Sequence, residues 1–351
     1  MASTHTRSVF TALICAASLS FAACSGSGGN SSSVIPGGGS KLVNLYIGSF
    51  TGGALGQYSP PFSASTAPNF EYTGQGYLGV ASDSKWLAAA FDASSVCTID
   101  METQPVTSSS TPAAVITPGA TCELASFDSS GNYWIALDNN TVAEYTPPFT
   151  SGQTAAMTVS TDVSSPVGVA FDGSNNLYVV NELTNPAQLL VFAPPYTGTP
   201  TVLALPVGNP SEAVGVAVSG STVAVGVLES AVGAKPHITS GGGSQSIIRR
   251  VPWSQMPHLG GHIGKGVLLG GEVLIYTTPI TSSSSPAATI TEPTSEAVAF
   301  DPAGDLYVGD SSVPSGTGGV LVFTPPLSSS SVYAFAITDE VDEPAAINFG
   351  P

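Results

Sequence analysis

One pattern of apolar runs and turns recurs along the chain and restricts the folds open to it. In its clearest copy, residues 167–171 and 177–180 flank the turn-forming sequence DGSNN, and residues 189–192 lead into two prolines. Short apolar runs rich in β-branched residues and bounded by Gly, Asn, Asp and Ser predict strands, and paired prolines end a ladder. The stretch therefore predicts an antiparallel meander of three strands.

The spacing of the copies predicts a series of such meanders. Asp83, Asp128 and Asp172 follow successive first runs and lie 45 and 44 residues apart, while Pro148 and Pro195 end successive third runs 47 residues apart. A weaker apolar run after each proline marker predicts a fourth, outer strand. Four strands in roughly 40–50 residues form one blade of a β-propeller.

The two ends of the repeat region predict how a ring of blades closes. Residues 42–49 match a second run with no first run before them, and residues 344–349 match a first run with nothing after it. A blade shared between these segments removes the open sheet edge. We therefore predict an all-β fold at residues 42–351: a six-bladed β-propeller of four-stranded antiparallel blades, closed by a C-terminal inner strand that joins the N-terminal blade.

The paired runs resemble NHL-type β-propellers over residues 42–351. The resemblance rests on GVAFD-turn-LYVVN and AVAFD-turn-LYVGD, and on the degenerate copies LASFD and VGVAV. It implies the architecture and leaves the chemistry open, because propellers carry many unrelated functions.

Residues 1–23 resemble a bacterial lipoprotein signal peptide. Arg7 provides a positive charge, residues 9–21 form a short apolar segment, and small residues precede Cys24. The resemblance implies lipidation of Cys24, with residues 24–41 as a flexible Gly/Ser linker. Ordinary secretion, with cleavage at Ala22-Ala23, is the alternative. We expect the protein at the bacterial cell envelope, lipid-anchored at the outer membrane or cell surface, or otherwise periplasmic or secreted.

The charge balance narrows the choice of partners. The chain has 24 acidic residues against 7 Lys and Arg, so it lacks the cations that neutralise phosphate groups. This argues against nucleic acid, and against any membrane contact other than the lipid anchor. We expect a monomer that binds a protein, a glycan or a small ligand on one face of the propeller.

Two cysteines fall within the repeats. An oxidising compartment favours a disulfide between Cys97 and Cys122, and two buried free thiols are the alternative.

Acidic residues recur at equivalent positions of the repeat. Some follow second runs and others precede first runs, and a meander brings these two positions to the same end of a blade. They should therefore ring one face near the central channel. The wider set comprises Glu123, Asp138, Asn181, Glu182, Glu212, Glu229, Glu296, Asp310 and Glu343.

Oxygen ligands clustered in this way suit Ca²⁺ or another divalent cation. The arrangement resembles the senescence-marker-protein/gluconolactonase family of six-bladed propellers, which implies a metal site. The candidate ligands are Glu123, Asp138, Asn181, Glu296 and Asp310. The chain departs from that family where Val167-Gly168 replaces an Asn-Gly pair and where Glu296 replaces an Asp. The alternative is that these side chains are turn and strand-end residues of an acidic exported protein, with no cofactor.

An insertion at residues 229–271 interrupts the fifth repeat and holds four of the seven basic residues. It would overhang the acidic face as a ligand-binding loop, with Arg249, Arg250, Trp253, His258 and His262 as candidate contacts. The alternatives are a mobile surface loop without a binding role and a local reading-frame error in the gene model.

Aromatic residues flank the proline pairs in a repeated series that includes Tyr58 and Phe62, Tyr145 and Phe149, and Phe192 and Tyr196. Repetition at one blade position favours packing between blades over a polyproline ligand.

No complete catalytic set occurs in the repeats. The leading hypothesis is a non-catalytic binding or scaffold protein of the cell envelope. The alternative is a metal-dependent lactone or ester hydrolase of the gluconolactonase type. A third hypothesis is a structural envelope or adhesion protein.

Overall fold

Each predicted meander forms one blade, because its runs are short, apolar and separated by residues that favour turns. The computed structural model describes residues 43–49, 53–93, 96–182, 184, 186–207, 211–229, 271–292, 297–311 and 318–351. These residues form 24 strands and no helix.

The strands group into six antiparallel sheets of four, and the blades are numbered from the one that holds the first strand. Blade 1 contains β1 (Asn44–Ser49), β2 (Ala54–Tyr58), β3 (Phe70–Thr73) and β24 (Pro344–Gly350). Blade 2 contains β4 (Tyr77–Ser82), β5 (Trp86–Ala93), β6 (Val96–Thr103) and β7 (Ala114–Ile116). Blade 3 contains β8 (Cys122–Phe127), β9 (Tyr133–Leu137), β10 (Thr141–Tyr145) and β11 (Met157–Val159).

Blade 4 contains β12 (Pro166–Phe171), β13 (Leu177–Asn181), β14 (Gln188–Phe192) and β15 (Thr201–Ala204). Blade 5 contains β16 (Ser211–Ser219), β17 (Thr222–Glu229), β18 (Gly271–Thr277) and β19 (Ala288–Glu292). Blade 6 contains β20 (Ala297–Phe300), β21 (Leu306–Asp310), β22 (Gly319–Phe323) and β23 (Phe335–Ile337).

The inner strands β4, β8, β12, β16, β20 and β24 form a closed ring around the channel, each in contact with the next. Closure depends on β24, which pairs antiparallel with β1 and places Ile347 opposite Ile47. The predicted six-bladed propeller and its shared first blade are confirmed.

The hydrophobic core lies largely between neighbouring blades, where facing sheets bury aliphatic and aromatic side chains. The aromatic residue after a proline pair packs edge-on against the preceding blade. Tyr196 of blade 4 contacts Trp134 of blade 3 at a ring-centroid distance of 5.1 Å, and Phe149 of blade 3 contacts Trp86 of blade 2 at 5.1 Å. These contacts agree with the packing interpretation of the series.

The Ser- and Thr-rich loops after the prolines cover the outer edges of neighbouring sheets. The N–H group of Val115 on β7 donates to the Oγ atom of Ser151 at 3.0 Å, and its carbonyl accepts from Gly152 at 3.0 Å. In blade 5, the N–H group of Thr289 donates to the Oγ atom of Ser329 at 3.0 Å. Such contacts occupy edge groups that would otherwise pair with another chain.

The predicted disulfide is confirmed. Cys97 on β6 and Cys122 on β8 are bonded, with a Cα–Cα distance of 4.9 Å, so the bond joins blade 2 to blade 3. Both side chains are fully buried.

Several predictions fall outside the described residues and stay predictions. They are the signal peptide at 1–23, Cys24 with the linker at 24–41, and the part of the insertion between β17 and β18 that includes Arg249, Arg250, Trp253, His258 and His262. In the part of the chain that the structure describes, no helix is long and apolar enough to cross a membrane.

Candidate functional site

Irregularities near the start of the inner strands determine which side chains line one end of the channel. The register between inner and second strand shifts by one residue in each of four blades, at Leu78, Val167, Val214 and the pair Glu123-Leu124. A β-bulge bends the strand and changes the direction of the extra side chain. All of these residues line a single cavity of about 70 Å³.

Three glutamates converge on this cavity, which lies at one end of the channel, the acidic end. Glu123 comes from blade 3, Glu182 follows β13 of blade 4, and Glu343 precedes β24 of blade 1. The other lining side chains are aliphatic: Leu78, Leu124, Val167, Ala213, Val214, Leu228 and Ala345. The acidic end thus combines carboxyl groups with apolar walls.

Burial, and after it the charge of neighbouring carboxylates, raises the pKa values of several acidic side chains at this end of the channel. Burial raises the pKa of Glu123 well above its usual value, and the negative charges of Glu182, Asp92 and Asp138 raise it further. Burial similarly raises the pKa of Asp92 to about 6, and burial with the charge of Asp342 raises the pKa of Glu343. A positive charge in the cavity would relieve this repulsion.

Asp92 and Asp138 also hold the start of β8 in place. The Oδ1 atom of Asp92 accepts the N–H group of Cys122 at 2.9 Å, and the Oδ1 atom of Asp138 accepts that of Thr121 at 3.1 Å. The Oδ2 atom of Asp92 is buried without a hydrogen-bond partner. Asp92 is not among the residues predicted from the sequence, although its position in β5 matches that of Glu182 after β13 in the register of the two blades.

A second cavity, of about 230 Å³, occupies the opposite end of the channel, where the inner strands finish. Leu124 lines both cavities, and no other described residue does. Its side chain therefore separates the acidic end from the opposite end. Nothing in the sequence indicates this role, because Leu124 lies in an apolar run like any other.

The structure brings some of the predicted metal ligands together and keeps others apart. Glu123 lines the cavity and interacts electrostatically with Asp138. Asn181 is fully buried, and its side chain instead bonds the loop before β12, accepting from the N–H group of Ser164 at 3.1 Å and donating to the carbonyl of Asp162 at 2.8 Å. Asp310 is fully buried at the end of β21, and Glu296 lies outside the described residues.

This arrangement does not fit the metal site that the family resemblance implies. Within the described ranges, no group of three or more His, Cys, Asp or Glu side chains could hold a metal ion. The amide of Asn181 is engaged with the backbone, so it is not oriented as a ligand. We therefore derive no reaction step through a metal.

Comparison with known proteins identifies the fold and no family. No family model matches the chain, and no curated protein matches its sequence. The chain is similar in structure to the periplasmic gluconolactonase PpgL of Pseudomonas aeruginosa (TM-score 0.54, 13% identity, covering 88% of this chain and 99% of that chain). It is also similar to a protein of unknown function from Bacteroides caccae (TM-score 0.54, 11% identity, 88% and 99%) and to the hydrazine synthase of Kuenenia stuttgartiensis (TM-score 0.53, 11% identity, 87% and 86%). At these identities the likeness establishes the propeller fold alone.

Proposed function

We propose that this protein is an exported, lipid-anchored and non-catalytic binding protein of the bacterial cell envelope, which holds a positively charged group at the acidic end of its channel. One observation carries the proposal: Glu123, Glu182 and Glu343, from three different blades, line one cavity with apolar walls. A pocket with a few convergent polar groups among apolar side chains is the usual form of a binding site.

The size and charge of the cavity limit its occupant. A volume of about 70 Å³ admits an ammonium group with a short aliphatic stem, and larger ligands would leave most of their mass outside. The ammonium group would bind the carboxyl groups, and the stem would contact the aliphatic walls. The occupant is then a small amine, or a single amino group presented by a protein or glycan.

Binding of a small amine to the secreted portion of the chain, from Ser25 onward, tests the proposal. Ethylammonium should bind measurably in calorimetry, whereas ethanol, which has a similar size and no charge, should not. Replacing both Glu123 and Glu182 with Gln should abolish the selectivity, and the matched change Glu144→Gln, on the outer part of blade 3, should preserve it. Equal binding of the amine and the alcohol would refute the proposal.

The hydrolase alternative comes from the sequence resemblance to the gluconolactonase family and from the acidic residues at one end of the channel, and a solved gluconolactonase shares the propeller fold. It requires a divalent cation and turnover, so the same protein should hydrolyse a sugar lactone in Ca²⁺, Mg²⁺, Mn²⁺ or Zn²⁺ and lose that activity in EDTA. A bound cation at a hundred times its dissociation constant would also stabilise the fold by about 2.7 kcal/mol. Turnover that depends on Glu123 would favour this alternative over the binding function.

A further inference from the structure

Three turns of the ring share one hydrogen-bonded geometry. They join the inner strand to the second strand in blades 3, 4 and 6, and they begin at Asp128, Asp172 and Asp301. In each turn the Oδ1 atom of the aspartate accepts the N–H groups of the residues two and four positions later, at 2.8–2.9 Å. The aspartate's own N–H group donates to the carbonyl four positions later, at 3.0–3.2 Å.

The fifth residue of the turn distinguishes blade 6 from the other two. In blades 3 and 4 it is Asn132 or Asn176, and the side-chain amide donates to the Oδ2 atom of the aspartate at 2.9 or 2.7 Å. In blade 6 the same position holds Asp305, although its main chain bonds to Asp301 in the same way. An ionised carboxylate has no hydrogen to donate, so Asp305 needs a proton to reproduce the missing bond.

The electrostatics of the turns differ accordingly. Burial opposes ionisation of Asp172, but hydrogen bonds from Asn176, Ser174 and Tyr178 hold its pKa below the usual value. Burial raises the pKa of Asp301 despite its backbone hydrogen bonds. Burial and the negative charge of Asp301 together raise the pKa of Asp305 to about 6.

The surroundings of Asp305 offer no positive charge within the described ranges. The side chain is 6% exposed, and the titratable groups that interact with it are Asp301 and Tyr307 on β21. The neighbouring segments at residues 318–326 and 344–351 contain no charged residue. Protonation of Asp305 therefore removes the repulsion between the carboxylates of Asp301 and Asp305.

We propose that Asp301 and Asp305 form a proton-dependent latch, in which protonated Asp305 donates its carboxyl hydrogen to Asp301 and deprotonation loosens the turn of blade 6. Deprotonation leaves two negative charges where blades 3 and 4 have a neutral amide and one carboxylate. The closed turn is stable in mild acid and loses stability as the pH rises from about 4 through about 6.

The latch borders the second cavity. Phe300, which immediately precedes Asp301, lines the cavity at the opposite end of the channel, together with the equivalent residues Phe171 and Phe127. A loosened turn would therefore alter one wall of this cavity and leave the acidic end unchanged. The effect is separate from the binding function proposed above.

Hydrogen exchange of the full chain at about pH 5 and about pH 7.5, corrected for the intrinsic exchange rate, tests the latch. Peptides that cover residues 297–311 should lose at least about tenfold in protection at the higher pH, because one pKa unit corresponds to a tenfold change. Peptides that cover the blade 4 turn at residues 166–182 should change little.

Two opposite substitutions separate the latch from a general effect of pH. Asp305→Asn should abolish the change in blade 6, since it restores the amide that blades 3 and 4 carry. Asn176→Asp should create the same change in blade 4, in a chain whose blade 6 is intact. The proposal is wrong if blade 6 of Asp305→Asn still loses protection at the higher pH. It is also wrong if neither the unmodified chain in blade 6 nor Asn176→Asp in blade 4 loses protection.

Discussion

The Cδ1 atom of Leu124 lies 3.1 Å from the position that a Cβ atom would take on Gly215, two blades away across the channel. A similar close approach occurs between Gly168 and Gly215, where a Cβ atom on Gly168 would lie 3.1 Å from the Cα atom of Gly215. Glycine at these inner-strand positions leaves room on the axis, and Leu124 fills it. The approach of Gly168 to Gly215 lets neighbouring inner strands pack closely in the ring, and the contact of Leu124 with Gly215 separates the two cavities.

Gly79→Ala tests how tightly the inner strands pack. A Cβ atom at Gly79 would lie 2.5 Å from the backbone oxygen of Glu123, which cannot move without moving β8. We expect a loss of about 1–3 kcal/mol in the free energy of unfolding, as is usual for overpacking. Urea denaturation measures this loss. Gly173→Ala, at a position with open space, is the matched control and should have little effect.

Reduction of the Cys97–Cys122 bond should destabilise the ring. The two residues are separated by 25 positions. A disulfide that closes a loop of this length restricts the unfolded chain, which adds about 3 kcal/mol to the free energy of unfolding. Urea unfolding with and without a reductant measures the difference. A double Cys→Ala variant should unfold at the same urea concentration in both conditions. An equal response of the variant and the parent chain would show that the reductant acts elsewhere.

Asp172→Ala should destabilise blade 4. The carboxylate accepts hydrogen bonds from Ser174, from the main chain and side chain of Asn176, and from Tyr178. In the variant the partly exposed donors bond to water instead. We therefore expect the free energy of unfolding to fall by about 2 kcal/mol, which is less than the sum of the individual hydrogen bonds. Because its folded pKa is lowered, this stabilisation is present above pH 4 and decreases as the pH falls further. Thermal melts at neutral and acidic pH should therefore differ more for the parent chain than for the variant.

The repeat period was enough to predict the ring, because strand length, turn residues and proline markers are local signals that recur. Even the shared blade followed from two incomplete repeats, and it is present as β24 beside β1. The bulges were not predicted, because a bulged strand keeps its apolar composition. The Val167-Gly168 pair was interpreted as a departure from a metal-binding motif, whereas the structure has a register shift there.

The candidate site was predicted only as a ring of acidic positions. Glu123, Glu182 and Glu343 do line one end of the channel. The direction of a side chain at a strand end depends on partners distant in sequence, as for Asn181, which turns to the loop that holds Asp162 and Ser164. Hydrophobic periodicity carries no information on such contacts. The selection of Asn181 as a metal ligand therefore could not be tested at the level of sequence.

Glu123→Gln should stabilise the fold at neutral pH. The folded-state pKa of Glu123 is raised, so the folded chain holds this proton more tightly than the unfolded chain. Stability therefore decreases as the pH rises from about 4 through the folded pKa, and the variant removes this loss. Allowing for solvent screening of a partly exposed group, we expect a gain of roughly 1 kcal/mol in the free energy of unfolding, or ~2 °C in melting temperature, at pH 7.

Melts across the pH range should show a flatter profile for Glu123→Gln, whereas Asp162→Asn, an equal charge change at an exposed loop position, should keep the parent profile. A variant less stable than the parent at neutral pH would mean that the carboxylate makes favourable contacts that outweigh the repulsion from Glu182, Asp92 and Asp138.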